Sequence, residues 1–187
     1  MGRSCRAFGI GACLILALSL VLLSSCGGNE KERGEESPDK PSGYVKKDSG
    51  GIEGLVFERL DGVSIPFEEL KGKLLVVNFW ATWNTDSKQL FPMMNQIQDK
   101  FYKHVTVMMI SVDKGGAAPV RRFMDDQMVA YEVYVNGEKV ANTFGGVKTL
   151  PTTYIVLRDG KIFERIDGLK RKKVYEDALI RLLQHRM

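Results

Sequence analysis

The sequence predicts an α/β sandwich built on a central mixed β-sheet flanked by helices, and three stretches carry that reading. Leu74–Trp80, Leu-Leu-Val-Val-Asn-Phe-Trp, is a nearly continuous apolar run, the pattern of a strand covered on both faces. Leu90, Met94, Ile97 and Phe101 then recur at helical spacing. Further on, residues 152–157 and 162–166 flank Asp159-Gly160, a strong hairpin signal.

The remaining elements fall between these. Residues 55–60 read as a short strand running into the turn pair Asp61-Gly62, with residues 63–65 as its return, so an N-terminal β-hairpin extension precedes the central strand. Residues 104–112 form a second apolar strand, and residues 119–128 a helix with Val120, Phe123 and Met124 inward. A strand at residues 132–135, a turn at Asn136-Gly137 and a short helix at 140–144 lead to Gly145-Gly146. Val174, Ala178, Leu179, Leu182 and Leu183 mark the inner face of a terminal helix. Within the central strand Phe79 and Trp80 alternate, Phe79 being the better core candidate, while Trp83 beyond it suits a partly exposed rim.

Composition sets the limits. At 187 residues, 44% hydrophobic and 27% charged, the chain accommodates one ordinary globular domain, placed at residues 52–187, with length left over for targeting and tethering. Arg3 and Arg6, the apolar stretch after them and Leu23-Ser24-Ser25-Cys26 resemble a bacterial lipoprotein signal peptide over residues 1–25, with Cys26 as the lipidated residue. A plain membrane anchor and a cleaved secretory signal are the other readings of this stretch. Residues 26–51 are rich in Gly, Ser, Pro, Lys and Glu, and read as a flexible tether with a reach of about 25–30 Å. Together these place the domain in the bacterial cell envelope, outside the cytoplasm and bound to the membrane through lipid, in either the inner or the outer membrane.

Charge excludes one class of partner. The formal net charge is +4, and loss of Arg3 and Arg6 would bring the 27 basic side chains close to parity with the 23 acidic ones. Lys170, Arg171, Lys172 and Lys173 are the tight basic cluster, but no aromatic is interleaved and a helix begins there, so they read as a solvated helix end and not as a nucleic-acid surface.

Three stretches point to a family. Phe79-Trp80-Ala81-Thr82-Trp83 closes the central strand, Phe91-Pro92 lies in the next helix, and Leu150-Pro151-Thr152-Thr153-Tyr154 precedes the hairpin. In that order they resemble a thioredoxin-fold protein of the TlpA/ResA type, related to the wider redoxin group, over roughly residues 52–186. The resemblance implies a thioredoxin-like sandwich, a membrane-tethered thiol-disulfide oxidoreductase ancestry and a cis-proline at Pro151 facing the helix start. It also implies that Trp83-Asn84-Thr85-Asp86-Ser87 stands where the family has a Trp-Cys-x-x-Cys motif, with Asn84 and Ser87 in the two cysteine positions.

The chemistry of that replacement is severe. A thiolate at a helix N-terminus is held by free N–H groups and the helix dipole, and a second thiol one turn later resolves the mixed disulfide. A carboxamide and an alcohol do neither, and the cysteines of this chain are Cys5, Cys13 and Cys26, all before residue 27. Asn84 instead suits an N-cap, Asp86 complements the helix dipole, and Ser87 suits a hydrogen bond near the helix end. Asn78, at a position where some thioredoxins keep a buried acid, is read as a structural amide, and Pro92 as a helix-kinking residue. A nucleophilic Ser87 would need a base, and His104 and His185 both lie far from it in the chain.

The expectation is therefore a redox-inactive binding or accessory protein that uses Trp83, Thr85, Asp86, Leu150 and Pro151 to hold an envelope protein or an extended peptide. The alternative, of the enzyme class, is an oxidoreductase role kept through a partner's cysteines. Copper delivery is a third class, disfavoured because Met93, Met94, Met108, Met109, Met124 and Met128 fall on elements read as buried. No metal ligand set and no cofactor is expected.

Overall fold

The computed structural model describes residues 51–184. Its elements are β1 (Val56–Arg59), β2 (Ser64–Pro66), α1 (Phe67–Leu70), β3 (Leu74–Trp80), α2 (Thr85–Phe101), β4 (Val105–Ser111), α3 (Ala117–Met124), β5 (Glu132–Val135), α4 (Gly137–Ala141), β6 (Thr152–Val156), β7 (Ile162–Asp167) and α5 (Lys172–Gln184). The strands make one seven-stranded sheet in the order β2-β1-β5-β4-β3-β6-β7. β4 runs parallel to β3 and β5, whereas β6 is antiparallel to β3, and β7 to β6. The N-terminal hairpin joins the same sheet because β1 pairs antiparallel with β5.

Each face of the sheet carries its own core. On one face Trp80, Leu90, Phe91, Met94, Ile97, Met109, Ile155, Tyr175 and Leu179 bring α2 and α5 onto the strands. On the other, Phe57, Phe67, Val77, Phe79, Ile110, Phe144 and Tyr154 pack with α1 and α4. The continuous apolar run of β3 has its reason here: all seven residues are buried, and alternate side chains feed opposite cores.

Several expectations need correcting. Trp80 is as fully buried as Phe79, because both faces of β3 are covered, and its ring stacks edge-on to Phe91 at 4.6 Å. Met94, Met108 and Met109 are core residues, but Met93 and Met124 are only half-buried and Met128 is exposed, since α3 ends at Met124 and Met128 lies in the irregular segment after the turn that follows it. α1 was not foreseen; four residues are too few for a helical period, and it is fixed by Phe67 in the core. The helix expected at 140–144 starts earlier, at Gly137, behind Asn136 in the left-handed region at φ 57°. Pro92 lies inside α2, as the sequence placed it, and is exposed.

Candidate binding groove

The C-terminal ends of β3 and β4 set the site. Beyond Trp80 the chain turns through Ala81, Thr82 and Trp83, and Asn84 N–H donates to the Ala81 carbonyl at 3.1 Å. Asn84 then caps α2 from an extended conformation, φ −93° and ψ 119°, its Oδ1 accepting from the Ser87 N–H at 2.8 Å. One of the free N–H groups of the helix start is thereby used internally. Asp86 stands in the first turn, exposed, where its charge opposes the helix dipole favourably.

Ser87 is fully buried, and its Oγ has no hydrogen-bond partner among the described residues. No base reaches it. His104, the one histidine among the described residues, sits at the opposite end of α2, where its backbone N–H donates to the Phe101 carbonyl. Asn78 is buried in β3 and donates through Nδ2 to Thr153 Oγ1 at 2.6 Å, which ties β3 to β6 and gives the amide a structural task.

Asp113 organises the approach to the helix and was missed in the sequence. Only 8% exposed, it accepts from Thr82 N–H at 3.0 Å and Thr82 Oγ1 at 2.8 Å, and from Ser111 Oγ at 2.7 Å. The loop that presents Trp83 is thus bolted to the end of β4, with the Val112 N–H donating to the Trp80 carbonyl at 2.9 Å as a further tie. Ser-Val-Asp is an unremarkable strand end in sequence, and Thr82 lies 31 positions away, so no local signal announced the pair.

The facing wall is the segment between α4 and β6. Tyr154 Oη donates to the Phe144 carbonyl at 2.9 Å, and Thr152 Oγ1 to the Thr149 carbonyl at 2.7 Å. Burial pushes the Tyr154 phenol up, partly opposed by Arg165, so it remains a donor at neutral pH. Leu150-Pro151 is a cis peptide bond, and the Pro151 carbonyl accepts from Gly168 N–H at 2.8 Å.

Between the two walls lies a groove of about 610 Å³, lined by Trp83, Asn84, Val112, Glu138, Lys148 and Leu150 among others. Trp83 is 69% exposed, an unusual cost for an indole in a chain with so many buried aromatics. Of the residues expected at the site, Trp83, Asn84 and Leu150 line the groove together. Thr85 and Asp86 are exposed on the helix start beside it, and Pro151 is buried behind Leu150. Cys26 and His185 lie outside the described residues. Among those described, no cluster of His, Cys, Asp and Glu is arranged to hold a metal ion, and no helix is long and apolar enough to cross a membrane.

Residues 54–165 match the family described as AhpC/TSA. The chain belongs to that family. Among curated relatives, the thiol-disulfide oxidoreductase ResA of Bacillus anthracis is 30% identical over 168 residues, covering 89% of this chain and 94% of the relative. ResA of Bacillus subtilis (strain 168) is 28% identical over 172 residues, 91% of this chain and 88% of the relative. Among solved structures, the thiol:disulfide interchange protein DsbE from Chlorobium tepidum superimposes with a TM-score of 0.62 at 23% identity, over 70% of this chain and 94% of its own. The pneumococcal exposed lipoprotein thioredoxin Etrx1 from Streptococcus pneumoniae gives 0.61 at 21% identity, over 68% and 98%. This AhpC/TSA member therefore has the thioredoxin-like fold of thiol-disulfide oxidoreductases, with the groove at the end of the sheet where β3 delivers α2.

Proposed function

We propose that this chain is a membrane-tethered, redox-inactive thioredoxin-like protein that holds an extended segment of an envelope protein in the groove between Trp83 and Leu150. The observation that carries the reading is an exposed indole beside a helix start that contains no sulfur. Asn84 spends its side chain on the Ser87 N–H, and Ser87 points an unreactive hydroxyl into the interior. Residues 27–187 contain no cysteine that could supply a thiol from elsewhere in the domain. Disulfide exchange requires a thiolate to attack and a leaving sulfur, and neither is available here.

Binding needs only what the groove has. An exposed Trp contributes a large rigid apolar contact at small entropic cost, and Asn84, Glu138 and Lys148 add polar groups along the same hollow. The Asp113 network holds the loop that carries Trp83 in place before a partner arrives, which lowers the ordering cost of association. The lipid anchor read at Cys26 supports the envelope as the place where that partner is met.

The test is photo-crosslinking in cells from a benzoylphenylalanine placed at Val147, which lines the groove, with Lys103 at the far end of α2 as control. A discrete adduct should form from position 147 and not from 103, and Trp83→Ala should abolish it. Equal adducts from both positions, or an adduct indifferent to Trp83, would sink the groove reading.

A further inference from the structure

Building on that groove, we propose that the site continues past Trp83 into a second hollow, and that the joined trough takes an extended acidic segment of a partner protein with an uncharged residue at its centre. The second hollow, about 790 Å³, lies between the loop after β4 and the start of α3, and its apolar lining includes Val112, Ala118 and Pro119. It shares Trp83, Val112 and Glu138 with the first groove, so the indole stands over the middle of a longer trough and does not close its end.

Charge assigns the occupant. Lys148 stands on the rim of the first groove, and Lys114 and Arg122 on the rim of the second. All three are exposed, and none has an ionic partner among the described residues. Two carboxylates line the trough against them. Asp113 is buried and turned inward, already accepting from Thr82 N–H, Thr82 Oγ1 and Ser111 Oγ. Glu138 is the exposed one, and it sits at the shared middle. Unpaired cations at both ends with an acid between them select a segment whose carboxylates flank a neutral centre, and repel one that is basic at its ends.

The tether contains an acidic run of its own, Glu35, Glu36 and Asp39. The chain enters the domain beside Gly160, where Ile52 N–H donates to the Gly160 carbonyl, and Gly160 lies at the opposite end of β6 from Pro151. A segment acting on its own domain would have to run the length of the central strand to reach the trough, and the peptide test separates that case from a partner in trans.

Fluorescence anisotropy on the full chain in detergent tests this with labelled heptapeptides: Glu-Asp-Ala-Tyr-Ala-Asp-Glu, a neutral version with Gln and Asn, and a basic version with Lys and Arg. The acidic peptide should bind about tenfold tighter than the neutral one at low salt. Lys148→Glu and the pair Lys114→Glu, Arg122→Glu should each weaken it about fivefold or more and improve the basic peptide. Equal affinity for all three peptides, or no binding of the acidic one, overturns the inference. Trp83-dependent binding without charge preference overturns it while leaving the groove reading intact, whereas failure of the position-147 crosslink removes that reading itself. If the acidic peptide binds only after Glu35→Gln, Glu36→Gln and Asp39→Asn, the occupant is the tether and the partner in trans is excluded.

Discussion

Asn84 and Ser87 sit three residues apart at the start of α2 and carry opposite energetic signs. Asn84 accepts from a backbone N–H that has no helical partner of its own, so Asn84→Ala should cost about 1 kcal/mol. Ser87 holds a buried hydroxyl with no partner among the described residues, so Ser87→Ala removes a desolvated polar atom and should be neutral or stabilising by up to about 1 kcal/mol. Urea midpoints of the two variants decide it; loss of more than about 1 kcal/mol in Ser87→Ala would mean that its Oγ has a bond the geometry does not include. The cap at Asn84 was legible because an Asn before a helical period has a local meaning. The orphaned Ser87 hydroxyl was not, because burial of a first-turn side chain depends on how α2 lies on the sheet.

Asp113 acts between elements, joining the end of β4 to the loop that leads into α2. Removing it leaves Thr82 N–H and two hydroxyls without their acceptor, and Asp113→Ala should destabilise the fold by about 2–3 kcal/mol. A double-mutant cycle with Thr82→Val should give a coupling of about 1 kcal/mol; additivity would contradict the clamp. Periodicity found β3, α2, β4 and the β6–β7 hairpin, since each is long enough to show its pattern locally. It did not find α1, nor the place where α3 stops, because those depend on Phe67 entering the core and on the chain turning after Met124. It also ranked Phe79 over Trp80, an error of scale: alternation says that the two point to opposite faces, and only the full sheet shows that both faces are covered.

Across the whole molecule, the sheet holds the groove at one end and the chain entry at the other. α5 is fastened to the edge strand β7 by Arg181 and Glu164, 2.9 Å apart, with Glu164 buried. Burial raises the Glu164 carboxyl above its ordinary value, and Arg181 pulls it only part of the way back. The native state then holds this proton more tightly than the unfolded chain. The contribution is full below the ordinary carboxylate range and is lost as pH rises through the native value. Glu164→Gln does not titrate, so its stability relative to the parent chain should improve as pH rises from about 4 to neutrality. A difference that stays flat, or moves towards the parent, would show that Arg181 compensates the burial fully.

The central claim is that a thioredoxin-like scaffold here binds without exchanging disulfides, and insulin reduction with dithiothreitol as electron donor tests it most directly. The parent chain should give the rate of dithiothreitol alone. Asn84→Cys, Ser87→Cys should accelerate it, because the helix start and the groove are in place and only the sulfurs are missing. Turnover by the parent chain above that background would contradict the account.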